Sequence, residues 1–124
     1  MVRQNFNFGW IAVIVFFALA QGFYSCEKVQ YTPPSVDPDK TWSFQTDIQP
    51  VFNKNCVSCH GGVKAPDLRE GKSYLALTRG GYVNSPAETS RLFSTMSSSD
   101  HRSRSNETER LKVLYWITQG ARNN

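Results

Sequence analysis

Apolar residues in this chain form one unbroken run near the start and then shorter groups at helical spacing, separated by glycine, proline and serine. The unbroken run, Phe8 to Ala20, is 13 residues long and follows Arg3. It is short for a bilayer crossing but has the form of an export signal. From Cys26 to Lys40 the periodicity is lost and three prolines appear, the composition of a tether. Helical spacing begins after Thr41. Ile48, Val51 and Phe52 make one face of a helix that Thr46 or Asp47 would cap, with Pro50 tolerated in its first turn. That helix runs into Cys56, and Gly61-Gly62 breaks it. A loop through Pro66-Asp67-Leu68 leads to a short helix near Lys72–Thr78 carrying Tyr74, Leu75 and Leu77, which Gly80-Gly81 ends.

The next start signal is Ser85-Pro86-Ala87-Glu88, a serine cap with proline at the first helical position and glutamate at the third. It predicts a helix from Pro86 to about Met96 with Leu92, Phe93 and Met96 on one face, stopped by Ser97-Ser98-Ser99. Asn106, with Glu109 three residues on, opens the last helix, which holds Leu111, Val113, Leu114, Trp116 and Ile117 before Gly120 closes it. The reading is of helices joined by Gly- and Ser-rich loops in one small domain, residues 41–124, with a thin core.

Candidate chemistry gathers in Cys56-Val57-Ser58-Cys59-His60. Cys-x-x-Cys-His is the spacing at which two thiols attach a haem and the following imidazole binds its iron. Residues three apart on a helical turn share a face, so Cys56 and Cys59 can reach one edge of a porphyrin while His60 turns beneath it. Two other readings compete. Half a zinc site would need a second pair of ligands, yet the only other cysteine is Cys26 and the only other histidine is His101. A thioredoxin-like dithiol would follow a strand, and no strand run precedes Cys56.

The start of the chain bears on compartment. Gln21-Gly22-Phe23-Tyr24-Ser25-Cys26 resembles the cleavage box of bacterial lipoproteins, although Phe23 and Tyr24 are bulkier than that box usually allows. On this reading residues 1–25 are a signal peptide, Cys26 carries lipid, and 26–40 tether the domain on the periplasmic side or cell envelope. An uncleaved anchor helix extended through Tyr24 is the alternative; both give an exported, membrane-held domain. Once Arg3 is lost, thirteen basic residues stand against ten acidic, and the arginines are dispersed, which is no nucleic-acid footprint. Arg102-Ser103-Arg104 reads as a solvated loop. Fifteen tether residues reach at most about 50 Å.

Asp47-Ile48-Gln49-Pro50-Val51-Phe52 leading into the Cys56–His60 motif, with Trp116-Ile117 and Gly120-Ala121 on the closing helix, resembles the small single-haem c-type cytochrome domains. The resemblance covers the whole folded part. It implies an all-α fold in which the first and last helices cross beside one covalent haem c, working as a one-electron carrier. Many members place Met-Pro-Pro before the last helix, and this chain has no such tripeptide. His101, at the place the resemblance assigns to the distal ligand, is favoured; Met96 is the alternative, and it is equally suited to fill a core. Leu68, Tyr74, Leu92 and Phe93 are candidates for the haem walls, Trp116 for the helix crossing, and Arg79, Tyr82 or Arg91 for a propionate.

The expected role is electron transfer between other redox proteins or a respiratory complex, with no small-molecule substrate and no enzyme activity. Two alternatives stay open: a haem protein with an open distal site for gas or peroxide, and a structural subunit of a larger membrane complex.

Overall fold

The computed structural model describes residues 30–32 and 35–124. The chain divides into two units, Met1–Thr32 and Pro33–Asn124, of which the second carries the described elements. The expected leader at 1–25 and the lipidation residue Cys26 lie outside the described residues. Among the described residues all regular structure is helical and no strand occurs, which agrees with an all-α domain. None of these helices is long and apolar enough to cross a membrane.

A π-helical turn, Phe44–Ile48, feeds directly into α1, Gln49–Asn55. The start lies earlier than the expected Thr46 or Asp47 cap, because Ser43 takes that role. Its side chain accepts from the Thr46 amide at 3.3 Å, and Asp47 reaches back to accept from the Ser43 amide at 3.1 Å. The free amides of Phe44 and Gln45 are met from the far end of the chain, by Asn124 Oδ1 at 3.1 Å and the Asn124 carbonyl at 3.0 Å. Ile48, Val51 and Phe52 are buried as their spacing requires, and Phe44 joins them.

The stretch expected as tether is bound at its end. Val36 packs against the core, Lys40 pairs with Asp47 at 2.6 Å, and Gln119 ties down the Lys40 carbonyl and the Trp42 amide.

Helix α2, Ser73–Arg79, buries Ser73 and Leu77 and leaves Leu75 half exposed. Gly81 then takes a φ of 66°, which only glycine adopts without strain. The single helix expected over 86–96 is two elements: a 3-10 turn, Ala87–Thr89, and α3, Arg91–Ser97. The break is the work of Ser90. Its buried hydroxyl donates to the Ala87 carbonyl at 2.6 Å and accepts from the Phe93 amide at 3.4 Å, so it closes one turn and caps the next.

A second 3-10 turn, Arg102–Arg104, precedes α4, Glu107–Thr118. There the predicted capping box is complete: Asn106 Oδ1 accepts from the Glu109 amide at 2.8 Å, and the Asn106 amide donates to Glu109 Oε2 at 2.9 Å.

Helix α4 packs against the π-helical turn, α3 and the 87–89 turn, with Val113 and Trp116 fully buried. The Trp116 and Phe44 rings lie 5.1 Å apart, and Trp116 Nε1 donates to the Arg122 carbonyl at 2.9 Å. Trp116 therefore packs the last helix against the π-helical turn that leads into α1.

Candidate cofactor cavity

A cavity of about 340 Å³ opens between the end of α1, the loop after it and α3. Its first wall is built from Phe52, Asn55, Cys56, Cys59 and His60. Helix α1 stops at Asn55, short of the expected Gly61-Gly62 break, but the chain keeps a helical sense beyond it. The Cys56 amide donates to the Phe52 carbonyl at 2.9 Å, and the Cys59 and His60 amides both donate to the Cys56 carbonyl, at 3.1 and 2.9 Å. That turn brings both sulfurs and the imidazole to one cavity, as the spacing predicts.

Both thiols are free, Cys56 half-buried and Cys59 exposed. Burial pushes the Cys56 thiol up to about 11, helped by the nearby charges of Glu109 and Cys59. Redox-active Cys-x-x-Cys pairs owe their reactivity to a lowered thiol pKa, so Cys56 is set in the opposite direction. Among the described residues no group of three or more His, Cys, Asp or Glu side chains is arranged to hold a bare metal ion.

Lys64, Pro66 and Leu68 form the second wall. Leu68 is buried, and its amide donates to the His60 carbonyl at 2.8 Å, which folds the loop back onto the Cys56–His60 turn. Tyr82 stands beside this wall with the Arg91 guanidinium 4.6 Å over its ring. A third part of the lining is Leu92, Thr95 and Met96 of α3, continued by Asp100, His101 and Arg104. Leu92 and Met96 are both buried.

Two features set the polar character of the cavity. His60 Nδ1 and His101 Nδ1 are each buried without a hydrogen-bond partner. A ring nitrogen in that state forfeits its hydration, and both residues line the same cavity. The second feature is charge: Lys64 and Arg104 line the space with Asp100 as the acidic residue beside them.

Most residues singled out in the sequence converge here: Cys56, Cys59, His60, Leu68, Leu92, Met96 and His101 all line the cavity. Phe93 and Tyr74 do not. Phe93 is partly buried against the core. Tyr74 meets Phe44 edge-on at 5.2 Å, and its hydroxyl donates to the Ala121 carbonyl at 3.1 Å, which ties α2 to the end of the chain.

Of the three candidates for a propionate, Tyr82 alone borders the space, Arg91 acting only on its ring. Arg104, read as part of a solvated loop, is a wall residue although it is exposed. Neither Lys64 nor Arg104 sits in a pattern that marks it; both are placed by loops. The chain matches no family model, and comparison with curated proteins and with solved structures gave no match.

Proposed function

We propose that residues 41–124 carry one covalent haem c and act as a one-electron carrier. The observation that supports this most is the convergence of both thiols and His60 with His101 and Met96 around one cavity. Its volume lies in the range of cofactor pockets. His60 and His101 both line this cavity, and each keeps a buried Nδ1 without a protein partner, so neither ring is committed to another role in the fold.

When bound, the haem supplies an iron that changes oxidation state by one electron. Cys56 and Cys59 would hold it as thioethers, and His60 would be the proximal ligand. Of the other residues lining the cavity, His101 is the favoured distal ligand. Met96 is buried among apolar residues, where a thioether is already at home, whereas an imidazole nitrogen without a partner is not. Phe52, Leu68 and Leu92 keep water from the interior, and Lys64 and Arg104 place positive charge at the cavity, where carboxylates of the group would be held.

The signal and lipidation reading of the chain's start would hold the domain at a membrane through Cys26, within reach of redox proteins or a respiratory complex.

The optical spectrum of the purified, dithionite-reduced protein, recorded before and after carbon monoxide, tests this reading. Sharp c-type bands that carbon monoxide leaves unmoved are expected of an iron with two strong protein ligands. Bands that shift at once would replace electron transfer with gas binding or peroxide chemistry, and absence of covalent haem would overturn the proposal.

A further inference from the structure

Leu68, whose amide holds the His60 carbonyl, is itself tied to a buried polar cluster that the motif does not account for. Gln49, in the first turn of α1, is 3% exposed, and every bond of its side chain is internal. Nε2 donates to the Leu68 carbonyl at 3.1 Å and to Asn53 Oδ1 at 2.8 Å, while Oε1 accepts from the fully buried hydroxyl of Ser73. Leu68 is thereby held on both sides, its carbonyl by Gln49 and its amide by the His60 carbonyl. The chain beyond His60 has little stiffness of its own, for Gly61 and Gly62 follow, Gly62 at a φ of 102°. What fixes the His60 main chain from that side is the Leu68 bond, and what fixes Leu68 is Gln49.

Burying an amide and a hydroxyl is costly unless every group is paired. An apolar side chain at position 49 would leave the Leu68 carbonyl and the Ser73 hydroxyl without these partners.

We propose that Gln49 is a positioning residue for His60: through Leu68 it locks the His60 main chain to the cavity wall and so sets how the imidazole meets the iron. The proposal rests on the haem reading above. Partners hydrogen-bonded to a metal ligand change affinity by tenfold or more when lost; Gln49 acts one link further out, through Leu68, and the lower end, about tenfold, is the scale expected here.

Two variants of the haem-loaded protein separate positioning from mere packing. Gln49→Met keeps length and removes both donors. Ser73→Ala removes a partner of the same cluster and leaves the Gln49 to Leu68 bond in place. For Gln49→Met we expect hydrogen exchange at the Leu68 amide to quicken at least about tenfold. We also expect a midpoint-potential shift matching an approximately tenfold change in the relative stability of the two oxidation states, about 59 mV for one electron. Ser73→Ala should lower the melting temperature alone. A Gln49→Met potential equal to that of the unaltered protein, or an equal shift from Ser73→Ala, overturns the proposal.

Should Gln49→Met fail to fold, exchange in the unaltered protein decides. A Leu68 amide as slow as that of buried Val113 supports the clamp, and one as fast as that of exposed Val63 refutes it. Protein purified without covalent haem would overturn the reading beneath the proposal, while the Leu68 exchange rate would still report on the clamp itself.

Discussion

The two walls of the cavity are held in different ways. The His60 wall is tied into the fold over long stretches of chain: the Leu68 amide spans back to His60, Gln49 reaches forward to Leu68, and Ser73 closes the cluster from α2. On the other wall α3 is anchored in the core, with the Leu92 amide on the Tyr82 carbonyl at 2.8 Å, but the segment from Ser98 to Arg104 is held by residues no more than eight positions away. The His101 amide donates to the Ser98 carbonyl at 3.2 Å, the Arg104 amide to the His101 carbonyl at 2.9 Å, and Arg110 Nη1 to the Arg102 carbonyl at 3.1 Å. Local turns open at little cost to the rest of a fold, whereas a long-range cluster opens only with the elements it joins. The His60 turn is thereby the more rigid part of the lining and the segment from Ser98 to Arg104 the more adjustable one.

The comparison breaks most visibly at the thiols. Replacing Cys56 and Cys59 together by alanine removes the only covalent attachment the reading allows, so haem should be extracted from the denatured variant by acid and organic solvent and retained by the unaltered protein. Haem retained by the double variant would end the c-type assignment.

The far wall sharpens it next. Met96→Ala should cost about 2–5 kcal/mol in chemical denaturation, the range for emptying a buried site, with the ferrous spectrum unchanged. His101→Ala should melt close to the unaltered protein and bind carbon monoxide at once. Exchange of those two outcomes would make Met96 the ligand and His101 a loop residue.

The smallest effect lies at the entrance to α4. Loss of the Asn106 cap in Asn106→Ala should cost about 1 kcal/mol, read by thermal melting. The same box is sensitive to acid. Burial of the Glu109 carboxyl raises its pKa, but the Asn106 amide and Lys54 outweigh that and hold it below the ordinary value. A carboxylate with a lowered folded pKa contributes stability that is present above its unfolded value of 4.5 and lost as the pH falls through the folded value. Stability should therefore fall between about pH 5 and pH 3, and less steeply in Glu109→Gln, as melting temperatures across that window would report.

Much of this was legible from residue order. The Asn106–Glu109 box, the Ile48-Val51-Phe52 face and the shared face of Cys56, Cys59 and His60 all follow from spacing within one or two helical turns, where chain geometry alone sets which side chains meet. The misplaced elements involve competition between equivalent signals. Ser43, Thr46 and Asp47 are all good caps, and Ser43 prevailed because Asp47 can reach back to its amide. Ser85 and Ser90 both precede helix-forming residues, and Ser90 prevailed because its hydroxyl is buried and serves two turns.

Sequence by itself determined the helical character of the domain and the close spacing of Cys56, Cys59 and His60, since each depends on neighbours close along the chain. Only the tertiary structure decided that Leu68, Leu92, Met96 and His101 share a cavity with the Cys56–His60 turn, that Arg104 and Lys64 border it, and that Tyr74 and Phe93 do not. Those choices rest on contacts between residues tens of positions apart. Loops without a periodic pattern make them, and whichever pairing buries the most apolar surface with every polar group satisfied is the one that persists.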